Sequence, residues 1–366
     1  MALFIVTMIL IVIGAIMIYS SSSIIAMEKY GDEYYYIRKQ IVFVLIGLGI
    51  MIGISRIHYR HWKKAAYPGV LISIVLLSLV IVPGIGLKAG GATRWLPLGY
   101  VSFQVSELVK IMLVIFLAHY LTKKIVHIKE FSRVFIVPLI IMLVILSLIL
   151  CQPDFGAAVI MAVVFMLMFY LAGSRLVYLA GLVATVIPVG VALIIHESYR
   201  MQRLMSFLNP WEDPANTGFQ IIQSFISFGS GGAFGVGLGN GMQKLFYLPE
   251  PHTDFILSVI AEEGGFIGVV LVILLFCILI YRGFAISFTC EDLFGMLLAS
   301  GLTTVIALEA FINMAAVMGL IPTKGLVLPF LSYGGTSLMM CMIAVGILMN
   351  ISSCRQKDSE TTEGRS

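Results

Sequence analysis

The segment ALFIVTMILIVIGAIMIYSSSSIIAM, residues 2–27, decides the fold class of this chain. It contains no charged residue, and a helix of this length crosses the ~30 Å hydrocarbon core of a bilayer at 1.5 Å per residue. The segment lacks the basic region and the small-residue cleavage site of a secretory signal peptide. We therefore expect it to remain in the protein as the first membrane span.

The composition extends this interpretation to the whole chain. Of 366 residues, 60% are hydrophobic and 11% are charged, whereas about a quarter of the residues in a soluble domain are charged. Apolar runs separated by charged residues or by glycine and proline predict ten membrane helices. Their expected bounds are 2–27, 38–55, 65–83, 105–122, 134–151, 157–173, 176–195, 255–281, 293–316 and 336–350.

The sequence therefore predicts an all-α, polytopic integral membrane protein. We expect one membrane domain over residues 1–351 and a disordered polar tail over residues 352–366. The loops on one side, with the tail, contain thirteen lysines and arginines, and those on the other side contain nine. Because short cytoplasmic loops are enriched in basic residues, we expect both termini inside the cell and the protein in the plasma membrane.

The largest segments outside the predicted helices then lie on the outer face. They cover residues 84–104, 317–335 and, between the seventh and eighth helices, the long loop 196–254. The glycine cluster at 229–241 lacks the spacing of a phosphate-binding loop, and we interpret it as flexible or re-entrant. We predict no nucleotide cofactor, and the net charge of +4 is too small to indicate nucleic acid as a partner.

Few carboxylates lie near the predicted outer face, and Asp254 is the first candidate for chemistry. If the eighth helix begins there, Asp254, Ser258 and Glu262 lie on one stripe of that helix. Carboxylates at the end of a membrane helix are costly unless they face a hydrated cavity, which favours a functional role. The structural alternative is a helix cap at Asp254 and a buried, hydrogen-bonded Glu262.

Two other features carry the same ambiguity. Asp154, in QPDFG at 152–156, either caps the next helix or serves a functional site. Glu107 and Lys110 are spaced i, i+3, and a structural ion pair is the more frequent reason for such a couple inside a span. With Asp254 they predict one polar chamber near the outer leaflet.

The segment NMAAVMGLIPTKGLVLPFLSYGGTS, residues 313–337, is long and irregular, and it resembles the signature of the SEDS family (shape, elongation, division and sporulation). This family includes FtsW, RodA and SpoVE. Further matches are GATRWLPLG at 91–99, FQVSELVK at 103–110, QPDFG and residues 237–268. The resemblance covers most of the chain, and the short N-terminus and overall match favour the sporulation branch.

The resemblance implies a ten-helix peptidoglycan glycosyltransferase. Such an enzyme polymerises lipid II into β-1,4-linked glycan strands at the outer face of the plasma membrane. In the sporulation branch it serves spore cortex synthesis, and the outer forespore membrane is then the narrower expected location. Asp254 matches the family's catalytic aspartate and would deprotonate the acceptor hydroxyl in a single inverting displacement.

The departing pyrophosphate requires positive charge, and the chain offers several cations for it. The residues that we predict to bind substrate are Arg94, Lys110, Arg203, Lys324, Glu107, Asp154, Glu262 and Ser332. A divalent cation, magnesium or manganese, held by Asp254 and Glu250, would share this work.

A transpeptidase partner is also implied. The chain lacks the Ser-x-x-Lys motif of penicillin-binding proteins, so another protein must cross-link the glycan. We expect a monofunctional class B penicillin-binding protein, docked by its single span against residues 255–316, where small residues such as Gly295, Ala299 and Gly301 favour close helix packing.

Two other functions stay open at this point. A lipid II flippase suits ten spans with internal charges, although it should need polar residues through both leaflets. A non-catalytic scaffold of the division or sporulation machinery leaves Asp254, Glu262 and Lys110 unexplained.

Overall fold

The computed structural model describes residues 1–89, 92–99, 101–196, 198–216, 218–244, 251–322 and 325–363. Within these ranges the chain is almost entirely helical. The α-helices are α1 (Ala2–Tyr30), α2 (Tyr35–Arg56), α3 (Trp62–Ile81), α4 (Val105–Lys123), α5 (Ile136–Cys151), α6 (Phe155–Leu171), α7 (Leu176–His196), α8 (Ser198–Leu208), α9 (Phe219–Gly231), α10 (Ile256–Phe288), α11 (Leu293–Val317) and α12 (Gly335–Glu363). Short 3₁₀ turns lie at Tyr59–His61, Ile125–His127 and Pro210–Glu212, and a π-helical turn at Phe131–Phe135 precedes α5.

Eight of the described helices are long and apolar enough to cross a membrane by length and composition, namely α1 to α5 and α10 to α12. Two shorter apolar helices, α6 and residues Leu176–Ala192 of α7, lie at the two remaining predicted positions. The prediction of an all-α, polytopic membrane protein is thereby confirmed.

Two segments that the sequence predicts to be loops contain regular structure. Residues 84–104 include the antiparallel strands β1 (Leu87–Ala89), β2 (Ala92–Leu98) and β3 (Val101–Gln104), in the order β1-β2-β3. Trp95 of β2 lies opposite both Leu87 and Gln104. The long loop 196–254 contains α8 and α9. The strands β1 and β3 are too short for a reliable periodic signal, whereas α8 and α9, of 11 and 13 residues, are long enough to carry one and were not predicted.

The last helix, α12, continues beyond the predicted span end at residue 350, as far as Glu363. Residues 352–363 contain neither glycine nor proline. Extending an existing helix adds one hydrogen bond for each residue fixed, whereas a new helix must first nucleate. The predicted disorder of the tail stays a prediction, and residues 364–366 lie outside the described part.

The chain divides into two compact units. The first comprises Met1–Ile46, Val183–Leu279 and Ala307–Leu338, and the second comprises Gly47–Leu182, Ile280–Ile306 and Met339–Ser366. Fully buried apolar side chains form the core of each. In the first unit they include Leu10, Ile18, Ile256 and Leu331; in the second they include Val114, Phe116, Phe165, Phe294 and Leu348.

Small residues of α11 allow close packing inside the second unit. A Cβ atom at Gly301 would lie 2.6 Å from Val114 Cγ1, and one at Gly295 would lie 3.1 Å from a ring carbon of Tyr59. Ala299 is completely buried. These three positions are occupied by the chain's own packing, so the prediction that they form part of the partner's docking surface is wrong.

In the first unit, α10 is interrupted at Gly265, which has φ 64° and ψ −163°. The glycine segment that follows α9 takes over the hydrogen bonds lost at this break. Gly232 O and Ala233 O accept from the N–H groups of Phe266 and Ile267, at 2.9 and 3.2 Å. The Val236 and Gly237 N–H groups donate to the Glu262 and Glu263 carbonyls, at 3.0 and 3.1 Å.

This exchange explains the glycine cluster at 229–241. A regular helix would pair Phe266 N–H with Glu262 O and Ile267 N–H with Glu263 O, and all four groups are satisfied here by the inserted backbone instead. Gly235, with φ 78°, approaches α10 so closely that a Cβ atom there would overlap the backbone of Glu263. Residues 232–237 are thus ordered and hydrogen-bonded to the backbone of α10.

Candidate active site

Asp254 lies in a turn of residues 251–255, directly before α10 begins at Ile256; we name this segment the Asp254 turn. The side chain of Asp254 is half-buried, while His252 and Phe255 on either side are buried. Since the helix begins after Asp254, the predicted stripe is wrong for its first member. Only Ser258 and Glu262 lie on α10.

Three consecutive backbone carbonyls of the Asp254 turn accept hydrogen bonds from α11 and from the segment before α12. The bonds run from Tyr333 N–H to His252 O at 2.8 Å, from Ser332 Oγ to Thr253 O at 2.6 Å, and from Asn313 Nδ2 to Asp254 O at 2.9 Å. Both side chains that donate are buried. The backbone on both sides of Asp254 is therefore held by fixed donors.

The same two side chains also bind the segment that precedes Ser332. Asn313 Nδ2 donates to Leu326 O at 2.6 Å, and Ser332 Oγ accepts from Leu328 N–H at 2.9 Å. Each side chain thus connects the Asp254 turn to residues 326–328. The irregular spacing of the signature at 313–337 reflects these contacts.

Phe330, in the middle of this segment, has φ 65°, which is uncommon for a residue other than glycine. It is buried, and α1 packs against it: a Cβ atom at Gly14 would lie 2.6 Å from Phe330 O. Strained backbone persists only where its surroundings hold it, and it is frequent at functional sites. Gly14 provides the close approach that holds this segment against α1.

Gly325 approaches the Asp254 carboxylate. A Cβ atom built on Gly325 would lie 3.3 Å from Asp254 Oδ2. Glycine at this position therefore leaves room beside the carboxylate. Lys324, which we predict to bind substrate, precedes Gly325 in the chain and lies outside the described residues.

His252 holds the Asp254 turn in place through its buried ring, which packs against two tyrosine rings. Its ring centroid lies 4.5 Å from that of Tyr36 and 5.6 Å from that of Tyr333. Burial, with a smaller contribution from the charge of Lys29, lowers the pKa of His252 to about 4. Burial also raises the pKa of Tyr333 to about 12. Both side chains are uncharged near neutral pH.

Glu262 and Glu263 hold the chain that leads toward the Asp254 turn. Glu262 Oε1 accepts from the N–H groups of Met242 and Gln243, at 2.7 and 3.2 Å. Glu263 Oε1 forms a buried ion pair with Lys244 Nζ at 2.6 Å. Glu262 therefore has the hydrogen-bonded environment of the structural alternative, and its predicted contact with substrate stays a prediction.

The second unit contains the other acidic turn, residues 152–156, which we name the Asp154 turn. Asp154 Oδ1 accepts from Ala157 N–H at 3.1 Å and so caps α6. Its Oδ2 accepts from Ser106 Oγ at 3.4 Å. Arg94 of β2 donates to the carbonyls of Gln152 and Pro153, at 3.3 and 2.6 Å. The capping interpretation of Asp154 is confirmed.

Glu107 and Lys110 lie on α4, one and four residues after Ser106. Lys110 Nζ lies 2.8 Å from Glu107 Oε1, and both side chains are at least nine-tenths buried. The predicted ion pair is therefore present. The second unit brings four of the predicted substrate-binding residues, Arg94, Glu107, Lys110 and Asp154, to the Asp154 turn and the adjoining first turns of α4.

The remaining site predictions are less defined. Arg203 is a half-buried residue of α8 in the first unit. Glu250, the second ligand of the predicted cation, lies outside the described residues. Among the residues that are described, no group of three histidines, cysteines or carboxylates could hold a metal ion. The cation therefore stays a prediction, and no chemical step below depends on it.

Sequence reasoning missed several residues that shape the site. His252 and Glu263 are absent from the predicted site residues, and Asn313 was predicted, with Glu309, only as a polar residue inside a span that supports a polar chamber. Two adjacent carboxylates in an apolar helix, Glu262 and Glu263, are the signal that could have identified the anchor of residues 242–244.

Comparison with known proteins supports the resemblance found in the sequence. The family model described as "Cell cycle protein", which covers FtsW, RodA and SpoVE, matches residues 1–357. A protein of Geobacter sulfurreducens named "Probable peptidoglycan glycosyltransferase FtsW" is 46% identical over 340 residues, which are 93% of this chain and 91% of that protein. "Stage V sporulation protein E" of Bacillus subtilis is 42% identical over 350 residues, 96% of each chain.

A solved chain has a similar fold. It comes from a structure described as "Structural coordination of polymerization and crosslinking by a peptidoglycan synthase complex". The TM-score is 0.79 at 29% identity, and the match covers 96% of this chain and 97% of the other.

Proposed function

This chain belongs to the FtsW, RodA and SpoVE family of cell cycle proteins, and from that premise we propose that it is a peptidoglycan glycosyltransferase that polymerises lipid II at the outer face of the plasma membrane. The relatives at 42–46% identity over more than nine-tenths of the chain support the enzyme class. The observation that supports the site is the half-buried carboxylate of Asp254, which a fixed turn holds beside Gly325.

In the proposed reaction, Asp254 removes the proton from the acceptor 4-hydroxyl. The hydroxyl oxygen forms a bond to the donor's anomeric carbon, and the bond from that carbon to the lipid pyrophosphate breaks with inversion. The pyrophosphate leaves as an anion and needs no proton, so one base is sufficient. A base whose backbone is already fixed requires little reorganisation to reach the transition state.

The proposed reaction also needs positive charge beside the departing pyrophosphate. Arg94 already donates to two carbonyls, and Lys110 is paired with Glu107. We therefore assign the larger share of this role to Lys324, which is adjacent in sequence to Gly325, and to Arg203. Arg94 and Lys110 would then contribute mainly to the shape of the Asp154 turn.

Incubating the purified protein with lipid II in detergent tests this function against the flippase alternative. Detergent micelles have no leaflets, so a flippase has no measurable activity there. We expect glycan strands, detected as a ladder by gel electrophoresis, and a requirement for Asp254. Absence of strands with the cognate partner present would contradict the proposal.

We propose a class B penicillin-binding protein as that partner, docked by its single span. The solved relative described as a complex for polymerisation and cross-linking supports this class. Because α11 uses its small residues inside the second unit, we place the contact on α10, where Phe266, Leu274 and Tyr281 are exposed. We expect weak strand synthesis by the isolated protein and strong stimulation by the partner. Equal rates with and without it would contradict this coupling.

The orientation in the membrane and the role in sporulation are narrower proposals. Tags after Lys64 and Lys129 should be cytoplasmic and one near Glu212 external, as the loop charges indicate. A role in spore cortex synthesis predicts that the chain restores cortex to a Bacillus subtilis strain without stage V sporulation protein E. Rescue of division alone would instead favour a division role.

A further inference from the structure

We propose that Asn313 and Ser332 are positioning residues that fix the direction in which the Asp254 carboxylate projects. This inference rests on the proposed function, in which Asp254 is the base. It assigns to Ser332 a role different from the substrate contact that the sequence analysis predicted, and it gives Asn313 a role at the site.

The geometry of the peptide unit supports this role. A peptide is planar, so a hydrogen bond that fixes a carbonyl also fixes the orientation of the whole unit. The planes before and after the Cα atom of Asp254 contain the carbonyls of Thr253 and Asp254. Ser332 Oγ holds the first at 2.6 Å, and Asn313 Nδ2 holds the second at 2.9 Å. With both planes fixed, φ and ψ of Asp254 are fixed, and so is the direction of its Cα–Cβ bond.

Both donors are themselves held in place. Each forms a second hydrogen bond with residues 326–328, and each is at least nine-tenths buried. A side chain with two bonds in a packed environment has little freedom to change rotamer. The third bond of the set comes from the Tyr333 backbone N–H. This backbone bond forms whatever side chain residue 333 carries. Side-chain substitutions can therefore test the bonds of Asn313 and Ser332 but not the bond of Tyr333.

These contacts also argue against a direct role of Ser332 in binding substrate. Its hydroxyl proton is directed to Thr253 O, and its oxygen accepts from Leu328 N–H. The residue is 4% exposed. Loss of the hydroxyl should therefore change the rate of the chemical step while the affinity for lipid II stays the same.

The test compares Ser332→Thr with Ser332→Val in the full-length protein with its partner, using lipid II in detergent. Threonine and valine have nearly the same shape, and only threonine carries a hydroxyl. We expect Ser332→Val to lower kcat by roughly 30- to 100-fold relative to Ser332→Thr, the scale of a small misplacement of a reacting group. KM should differ by less than about twofold between them. Asn313→Leu should show the same pattern independently.

Ser224→Ala is the matched control. Ser224 is also a buried serine of the first unit. Its Oγ donates to the carbonyl of Val317, the last residue of α11, at 2.6 Å, and lies 2.7 Å from Ser258 Oγ on α10. The Ser224→Ala variant loses a hydrogen bond from a serine hydroxyl to a backbone carbonyl, as Ser332→Val does, but outside the Asp254 turn. We therefore expect its kcat to lie within about twofold of that of the unmodified protein. Thermal unfolding in detergent for each variant separates loss of fold from loss of positioning.

Asp254→Asn in the same assay distinguishes failure of the positioning role from failure of the proposed function. If it is inactive while Ser332→Val and Asn313→Leu match their controls in kcat, the positioning role is wrong and the proposed function stands. A rise in KM with unchanged kcat for Ser332→Val would restore the substrate-binding role and also overturn the inference. If Asp254→Asn is active, the assignment of the base fails and the positioning role fails with it.

Discussion

The Asp254 turn of the first unit and the Asp154 turn of the second share one hydrogen-bonding pattern and differ in the surroundings of their carboxylates. Each aspartate lies just before a membrane helix, and in each turn the carbonyls of the two preceding residues accept hydrogen bonds from distant donors. Arg94 provides these donors for residues 152 and 153, and Tyr333 and Ser332 provide them for residues 252 and 253.

The surroundings of the two carboxylates differ. Both oxygens of Asp154 accept hydrogen bonds within the second unit, and the residue is buried. Asp254 is half-buried, and Gly325 leaves room beside one of its oxygens. A fixed backbone is thus common to Asp154, which caps a helix, and to Asp254, the proposed base, so we expect the surroundings of the side chain to decide between the two roles.

The largest expected effect comes from the same substitution in both turns. Asp254→Asn should lower strand synthesis by about 10²- to 10⁴-fold, the range attributed to a general base. Asp154→Asn should retain activity, since asparagine is as good a helix cap as aspartate. Initial rates measured by strand electrophoresis test both. Similar losses in the two variants would remove the functional distinction.

Breaking the buried ion pair next to the Asp154 turn should have the next largest effect, which is a loss of stability. Lys110→Met leaves Glu107 buried without this partner, which costs about 3–5 kcal/mol. The double variant Glu107→Leu with Lys110→Met should recover most of this loss, because no buried charge remains. Thermal unfolding in detergent measures it. A double variant that is stable but inactive would instead return Lys110 to the pyrophosphate site.

His252 should make the stability of the Asp254 turn depend on pH. The folded pKa of about 4 lies below the ordinary value of 6.5, so the unfolded chain binds a proton first as the pH falls. Stability from this group is complete above pH 6.5 and is lost between pH 6.5 and 4, by about 3 kcal/mol at 1.36 kcal/mol per pH unit. His252→Phe should lose less stability than the unmodified protein between pH 7 and 4. Equal losses would show that His252 is accessible to protons when folded.

The smallest effect is expected at the cap of α6. Asp154→Ala removes the bond to Ala157 N–H and should cost about 1 kcal/mol, with activity per folded molecule unchanged. Thermal unfolding compared with Asp154→Asn isolates the cap. A large loss of activity in Asp154→Ala would move the Asp154 turn from a structural to a catalytic role.

The sequence by itself determined the membrane class, the positions of the helices and the family. These follow from uncharged apolar runs of span length and from one specific signature at 313–337, both of which are local in the chain. It also predicted the Glu107–Lys110 pair and the capping alternative for Asp154, which the structure contains, and Asp254 as the candidate base. The three strands within residues 84–104 and the helices α8 and α9 within the long loop were not predicted.

Only the tertiary structure decided what the polar residues do. Whether an aspartate is buried with both oxygens bonded depends on donors such as Ser106, which lies 48 residues away in the chain from Asp154. The same holds for Asn313 and Ser332, which contact the Asp254 turn from 59 and 79 residues away. A helix is predictable because its hydrogen bonds join residues four apart, whereas the environment of a carboxylate is set by residues that only folding brings together.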